Sequence, residues 1–238
     1  MNLAIAHHDP AALIARCQTA SVRTVDSDPT YEPGAVLPAG PWQSLTTALA
    51  SRLMPTADTA NGTLVELVRL PDGPAPTRLE SVTDRLGDPD AVHLGQAASP
   101  ANAVTTTPNY QDGRRIGLHV DNWDKLPYHS KHLGRRRLCI NLGPGTRYLL
   151  LGTVDIQSIC RTLHPDPVDR YPHTDDLRTY VTRGLPLTAL RIRLDPGDGY
   201  IAPTELLPHD GSTEGHPDPS TAAFWLGHWP RGVLGSII

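Results

Sequence analysis

Short extended runs separated by glycine- and proline-rich turns fill the second half of the sequence. Turn signals lie at residues 143–145 ("GPG"), 195–199 ("DPGDG") and 210–220 ("DGSTEGHPDPS"). The strand-like runs around them are "RIGLHV" (115–120), "RRLCINLG" (136–143), "RYLLLGTV" (147–154), "LTALRIRL" (187–194), "GYIAPTELL" (199–207) and "TAAFWLGHW" (221–229). Many short strands joined by such turns are typical of a sandwich or a barrel. We therefore predict a mainly β protein of the α+β class, with a jelly-roll-like core and flanking helices.

The first half of the chain carries mixed signals. The spacing of apolar residues predicts helices over residues 9–17 and 41–54, and alternation predicts a strand over 62–70. Proline and glycine predict a loop over 26–41. Residues 71–112 are rich in Pro, Asp, Thr and Ala, and we interpret them as loops and short strands that reach the mouth of the site.

A single domain over residues 1–238 accounts for the length of the chain. Within it, we expect residues 1–113 to pack on a core formed by residues 114–230. A helical stretch over about residues 154–183 interrupts the strands of that core.

Composition narrows the partners and the compartment. A net charge of −4 gives no chain-wide basic bias toward nucleic acid, and the longest apolar run, residues 148–152, is too short to cross a membrane. Three scattered cysteines without a CxxC pair indicate reduced thiols in a cytoplasmic protein rather than a disulfide framework. We expect a small-molecule substrate, no nucleic-acid or membrane partner, and a monomer or homodimer.

Three residues form a candidate metal site. His119 and Asp121 are two positions apart on a predicted strand, so their side chains project to the same side. His209 follows the extended run after the "DPGDG" turn, and we expect that run to cross the barrel and present His209 as the third ligand. His216 and His228 are rival ligands, but His216 lies in a loop beside a proline and His228 lies on the last strand.

An H-x-D triplet, several strands, a Gly-Asp turn and a distal histidine followed by small polar residues resemble the iron(II)/2-oxoglutarate-dependent oxygenases. The resemblance covers residues 114–230. It implies a double-stranded β-helix, also called a jelly-roll or cupin-like core, with Fe(II) held by His119, Asp121 and His209. Imidazole and carboxylate suit this metal, and three ligands leave positions for 2-oxoglutarate and O2. A carboxylate at position 121 argues against halogenation, because halogenating members have a small residue there.

The resemblance also implies a basic residue that binds the far carboxylate of 2-oxoglutarate, commonly on the last core strand. That strand has no Arg or Lys in its interior here. We rank Arg147 and Arg231 close together as candidates, followed by Arg193, since a guanidinium binds a carboxylate through two parallel hydrogen bonds. Asn141 is a candidate for the near end of the bound acid, with a turn asparagine as the alternative.

Five further residues are candidates for substrate binding. Thr204 and Glu205 precede the distal histidine, and Glu205 could bind a substrate ammonium group. Tyr110, Trp123 and Trp225 lie near the motifs and could line a pocket, although aromatic residues also fill cores.

These features predict a non-haem Fe(II), 2-oxoglutarate-dependent oxygenase that acts on a small molecule, with an amino-acid-like substrate favoured. The resemblance implies hydrogen abstraction from a C–H bond, giving hydroxylation, desaturation or cyclisation, and small members of this kind occur in bacterial natural-product pathways. Two alternatives stay open. One is a cupin-like metal enzyme that does not use 2-oxoglutarate, and the other is a non-enzymatic β-sandwich binding module in which His119 and Asp121 are structural.

Overall fold

A computed structural model of the chain describes residues 3–70 and 86–238, and these residues are mainly β structure. The strands in sequence order are β1 (Ala4–Ala6), β2 (Cys17–Val25), β3 (Tyr31–Ser44), β4 (Leu64–Arg69), β5 (Val92–Ser99), β6 (Arg115–Gly117), β7 (Arg136–Pro144), β8 (Arg147–Gly152), β9 (Thr188–Leu194), β10 (Asp198–Ala202), β11 (His209–Ser212), β12 (Ser220–Gly227) and β13 (Gly235–Ser236). The helices are α1 (Pro10–Arg16), α2 (Thr47–Arg52), α3 (Ile156–Leu163) and α4 (Thr174–Thr182), with short 3-10 helices at Asn61–Thr63 and Tyr128–Leu133.

The strands form two mixed sheets. A seven-stranded sheet has the order β1-β4-β10-β7-β12-β5, with β13 also paired to β4. A six-stranded sheet has the order β11-β8-β9-β2-β3-β6. Most neighbours are antiparallel, and β1/β4 and β3/β6 are the parallel pairs among the described strands. This arrangement is compatible with the predicted jelly-roll core, and the mainly β fold with flanking helices is confirmed.

Strict alternation along the strands separates two apolar layers. Cys139 and Tyr200 face the six-stranded sheet, where they pack with Leu149 and Leu151 in a core between the sheets. Leu138, by contrast, points to the outer face of the seven-stranded sheet, among residues contributed by the chain ends and loops. Because successive side chains point to opposite faces, a shift of one position decides whether a side chain reaches the interior.

Helices α3 and α4 cover the other face of the six-stranded sheet. Ile156, Ile159 and Leu177 pack there against Leu118 and Val120. The helical stretch predicted over 154–183 is confirmed as these two helices. Val120 lies between the two metal-ligand candidates of the H-x-D triplet, so this packing fixes the segment that carries them.

The first half of the chain departs from the prediction in three places. Residues 26–41 were expected to form a loop, but the long strand β3 begins at Tyr31. Its prolines are tolerated because β3 is paired along its length to β2, while its other side is paired at two described positions, Tyr31 with Arg115 and Val36 with Leu118. The helix expected over 41–54 is shorter, beginning after Thr46, whose hydroxyl accepts a hydrogen bond from the Leu49 amide at 3.2 Å.

The third departure concerns the role of residues 1–113. Strands β1, β4 and β5 belong to the seven-stranded sheet, and β2 and β3 belong to the six-stranded sheet. The first half is therefore part of both sheets rather than a layer packed on them. The strand predicted over 62–70 is confirmed as β4. The loops and short strands predicted over 71–112 include strand β5, and residues 71–85 lie outside the described part.

The three cysteines, Cys17, Cys139 and Cys160, are all buried and unpaired. Across the described residues, no helix is both long and apolar enough to cross a membrane.

Candidate metal centre

Two short backbone segments bring the predicted ligands together. His119 follows β6, and His209 is the first residue of β11. The two histidines exchange both backbone hydrogen bonds, from the His119 amide to the His209 carbonyl at 3.1 Å and in the reverse direction at 2.8 Å. Their imidazole rings consequently lie side by side, with centroids 4.6 Å apart. Asp121 projects to the same side, and its amide donates to the Thr204 carbonyl at 2.9 Å.

The three side chains form a compact, buried group. One potential ligand atom from each of His119, Asp121 and His209 lies within 4.8 Å of the others. All three residues are less than one-tenth exposed. The sequence prediction that these residues form one cluster is thus confirmed, and the group could hold a metal ion.

Hydrogen bonds to the backbone orient both imidazoles. The Nδ1 atom of His119 lies 2.8 Å from the Gly117 carbonyl oxygen, and that of His209 lies 3.2 Å from the Leu207 carbonyl oxygen. A carbonyl accepts only, so both Nδ1 atoms carry the proton and both Nε2 atoms keep a lone pair. The His209 Nε2 atom is buried, has no hydrogen-bond partner in the described part of the chain, and lies 3.7 Å from the Asp121 Oδ2. This is the outer-shell arrangement that orients histidine ligands of metals, so the residues fit a metal ion.

Burial and neighbouring charges shift the pKa values of two residues of the cluster, His209 and Asp121. Burial lowers the pKa of His209 to about 3, against the opposing effect of the Asp121 charge. Burial alone would raise the pKa of Asp121, but its surroundings, above all the charge of Arg137, lower it to about 2. At neutral pH the cluster therefore presents a neutral imidazole and a carboxylate, the forms that bind a cation without first losing a proton.

Arg137 is part of the site and was absent from the sequence prediction. Its Nη2 atom lies 2.7 Å from the Asp121 Oδ2, and its guanidinium lies 5.6 Å from the centroid of the Phe224 ring. Arg137 is on β7, two residues before the buried Cys139, so alternation places both on the inner face. That parity was the available signal, but only the folded chain shows that the inner face at this position meets Asp121.

A cavity of about 200 Å³ opens beside His209. Its walls come from both sheets, from the loop at 106–110 and from the edge strand β5. The residues that line it include Leu94, Gln96, Ala97, Ser99, Thr106, Thr107, Tyr110, Trp123, Arg137, Arg147, Tyr200, Asp210, Gly211 and Phe224. Tyr200 is buried close to both guanidiniums. Burial raises its pKa well above the usual value, although Arg137 and Arg147 act in the opposite direction.

Arg147 reaches this cavity from β8. It is on the same face of β8 as Leu149 and Leu151, which lie opposite Gly211 and His209 of β11. Arg147 is 4% exposed, and its Nη1 atom is buried without a hydrogen-bond partner among the described residues. A Cβ atom at Gly211 would lie 2.3 Å from the Arg147 Nη2 atom. The guanidinium therefore occupies the space above Gly211, two residues along β11 from His209.

The structure places the other predicted cosubstrate residues away from this cavity. Arg231 is exposed and lines a different hollow, and Arg193 is an exposed residue paired with Asp195 at 2.9 Å. The side chain of Asn141 is fully hydrogen-bonded. Its amide donates to the Gly145 and Leu194 carbonyls at 3.0 Å each, and its carbonyl accepts from the Gly143 amide and the Ser220 hydroxyl at 2.9 Å each. Asn141 is thus a turn asparagine that supports the 143–145 turn.

Two of the predicted substrate residues are also elsewhere. Trp225 is fully buried on the outer face of the seven-stranded sheet, where it stacks on His93, because its neighbour Phe224 takes the inward position. Glu205 is buried in an ion pair with Lys131 at 2.9 Å and accepts from the Asp124 amide at 2.6 Å. Its carboxylate is therefore already neutralised within the protein.

The remaining candidates lie closer to the metal cluster and the cavity. Thr204 is buried, and its backbone carbonyl accepts the hydrogen bond from the Asp121 amide. Tyr110 and Trp123 line the mouth of the cavity, with 98% and 53% of their surfaces exposed. The long run expected to cross the barrel is in fact two strands, since β10 ends at Ala202 and the chain turns before β11 begins at His209.

A second group of potential ligands lies between α3 and α4. It consists of Cys160, His164 and Asp176, again within 4.8 Å of one another. The His164 Nε2 atom already lies 2.8 Å from the Asp176 Oδ1 atom, and the other oxygen of Asp176 accepts from the His173 amide. These bonds join the two helices, and the group lies outside the cavity beside His209.

Comparison with known proteins adds no relative to this picture. No family model matches the chain, and a search of curated proteins finds no match.

Proposed function

We propose that the protein is a non-haem Fe(II), 2-oxoglutarate-dependent oxygenase that acts on a small molecule, with an amino-acid-like substrate favoured. One observation carries the proposal. A buried His-Asp-His group with an unpartnered imidazole nitrogen borders a cavity into which a buried arginine, Arg147, also projects.

The ligand set favours iron. His119, Asp121 and His209 would hold the ion through two imidazoles and one carboxylate, the facial set typical of Fe(II) oxygenases. With 2-oxoglutarate and O2, bound iron would supply the power to abstract hydrogen from an unactivated C–H bond. The protein keeps His209 neutral and Asp121 ionised, and it fixes both imidazole rings through the Gly117 and Leu207 carbonyls.

Arg147 is the residue that favours a keto diacid as cosubstrate. Its guanidinium is buried, has an unpartnered nitrogen and lies beside Gly211, on the strand that begins with His209. A diacid bound at the metal could extend along β11 and place its far carboxylate on this guanidinium through charge-assisted hydrogen bonds. Of the three arginines predicted for this role, Arg147 alone lines the cavity.

An anaerobic titration tests the proposal. Metal-free protein receives Fe(II) and then 2-oxoglutarate, while the weak visible charge-transfer band of the iron–keto acid chelate is recorded. We expect the band in the natural protein and its loss in His209→Ala and Asp121→Ala. His129→Ala is the matched control, because His129 is an exposed histidine outside the site.

The outcomes separate the alternatives. Iron binding without a band would favour a cupin-like enzyme that does not use 2-oxoglutarate. Absence of iron binding would refute the metal centre and favour a binding module in which His119 and Asp121 are structural.

A further inference from the structure

We propose that Arg137 is a binding site for the carboxylate group of the substrate, separate from the cosubstrate position at Arg147. The protein would accordingly select small molecules that combine one carboxylate with an apolar body. The catalytic meaning of this inference rests on the proposed function, but the binding site itself does not.

Arg137 has spare hydrogen-bonding capacity. A guanidinium has five N–H donors in a planar fork. The Nη2 atom of Arg137 contacts Asp121, whereas its Nε atom is buried and has no hydrogen-bond partner in the described part of the chain. A buried donor without a partner destabilises the protein, so a ligand that accepts a hydrogen bond from it recovers the lost energy.

The guanidiniums of Arg137 and Arg147 lie on different walls of the cavity. Arg147 projects from β8 of the six-stranded sheet and lies over Gly211. Arg137 projects from β7 of the seven-stranded sheet and lies beside Asp121. One diacid extended along β11 would not occupy the Arg137 guanidinium, so the cavity can bind a second anion there.

The cavity has few acidic side chains. Among the described residues that line it, Asp210 is the single acid. Its Oδ1 atom accepts from the amides of Thr106 and Thr107 and from the Thr107 hydroxyl, which anchors the 106–107 loop. Glu205, the candidate for a substrate ammonium group, is paired with Lys131 away from this wall. The Oδ2 atom of Asp210 has no hydrogen-bond partner among the described residues, but the side chain is fully buried. The cavity therefore offers a cationic contact and no exposed carboxylate to a substrate.

The surroundings of Arg137 specify the rest of the ligand. The Phe224 ring lies under the guanidinium, and Trp123 and Tyr110 stand exposed at the mouth. On the adjacent edge strand, the side chain at Ala97 is small and leaves room beside them. An apolar chain attached to a carboxylate on Arg137 would lie against these aromatic faces.

Hexanoate and its neutral counterpart hexanamide form a suitable pair of probes. Hexanoate lacks the keto group and the second carboxylate that would direct it to the metal and to Arg147. Binding is measured by calorimetry on the anaerobic Fe(II) protein, with and without saturating 2-oxoglutarate. We expect hexanoate to bind about tenfold or more tightly than hexanamide, as the loss of a charge-assisted hydrogen bond implies.

Variants then assign the site. Arg137→Gln should abolish the preference for hexanoate over hexanamide, whereas Arg147→Gln should retain it. Arg137→Lys keeps the charge beside Asp121 but removes the fork, so it should weaken hexanoate binding about tenfold with the Fe(II) affinity measured in parallel. Arg193→Gln, at an exposed arginine, is the control and should change nothing.

The inference is overturned if hexanoate fails to bind, if hexanamide binds equally well, or if Arg147→Gln rather than the Arg137 variants removes the preference. Failure of the proposed function gives a different result. In that case the 2-oxoglutarate band is absent while hexanoate binding still depends on Arg137.

Discussion

Gly211→Ala is the sharpest test of the proposal that the cavity binds a keto diacid. The new Cβ atom would lie 2.3 Å from the Arg147 Nη2 atom and 2.5 Å from the Thr106 hydroxyl oxygen. Ordinary contact begins at 3.4 Å, so the guanidinium tip must retreat by about 1 Å. The backbone at Gly211 is not in the left-handed region, and alanine therefore adds no backbone strain there.

The expected magnitude follows from this displacement. A hydrogen bond to a charged group contributes roughly 1.5–3 kcal/mol, and each 1.4 kcal/mol is a tenfold change in affinity. If the retreat breaks the contact with the far carboxylate, the dissociation constant of 2-oxoglutarate rises about 10- to 100-fold. The Fe(II) affinity should stay the same, because the imidazole of His209 and its bond to the Leu207 carbonyl are untouched.

The assay is an anaerobic titration of Fe(II) followed by 2-oxoglutarate, with the charge-transfer band as readout. Gly235→Ala is the matched control, since a Cβ atom there meets nothing within 4 Å. An unchanged 2-oxoglutarate affinity in Gly211→Ala would refute the role of Arg147. Equal losses of iron and 2-oxoglutarate would show that the substitution disturbs the pairing of β11 rather than the guanidinium.

Three further predictions concern stability. Glu205→Gln should lower the free energy of unfolding, measured in urea, by roughly 3–5 kcal/mol, because it leaves the Lys131 charge buried and uncompensated. A Lys131→Met/Glu205→Gln double variant should recover much of that loss, and a Glu205→Gln variant of unchanged stability with only a raised KM would contradict this reasoning. Asp198→Ala removes a buried carboxylate that contacts two arginines and should cost about 2–4 kcal/mol, against less than about 0.5 kcal/mol for Asp175→Ala at a 71% exposed position. The pKa of His209 is about 3 in the folded protein and 6.5 ordinarily, so between these pH values the unfolded chain binds a proton at this residue and the folded chain does not. Metal-free protein should therefore lose stability as the pH falls below about 6.5. Thermal melts should show a smaller loss of stability with falling pH in His209→Gln.

The strands were predictable where local pattern and tertiary role agree. Turns such as 195–199 interrupt runs whose apolar residues all find buried positions, so length and composition alone locate β9 and β10. Strand β3 was missed because its prolines indicate a loop, and only the sparse pairing on its far side makes them compatible with a strand. That pairing is a property of the assembled sheet and leaves no mark within residues 26–41.

The metal cluster was predictable for a different reason. In extended backbone, side chains two positions apart project to the same side, and His119 and Asp121 keep this relation although β6 ends before them, at Gly117. The assignment of Trp225 failed on the same rule, because the inward position belongs to Phe224. Near that position the register of β12 also shifts, between Phe224 and Trp225 on its pairing with β5, and no local pattern reveals which of two adjacent aromatics faces inward.

Arg147, the proposed cosubstrate residue, lies on β8 and not on the last core strand, where the family resemblance predicts a basic residue. The last core strand, β12, lies in the seven-stranded sheet, whereas His209 begins β11 in the other sheet. On β8, the hydrogen-bonded neighbour of β11, Leu151 lies opposite His209 and Leu149 lies opposite Gly211, and Arg147 takes the next position on the same face. An arginine there needs space above β11, and a residue without a Cβ atom at position 211 provides it. The position of the Arg147 guanidinium therefore depends on the absence of a Cβ atom at Gly211. The glycine two residues after His209 was the sequence signal that could have ranked Arg147 above Arg231 for the proposed cosubstrate role.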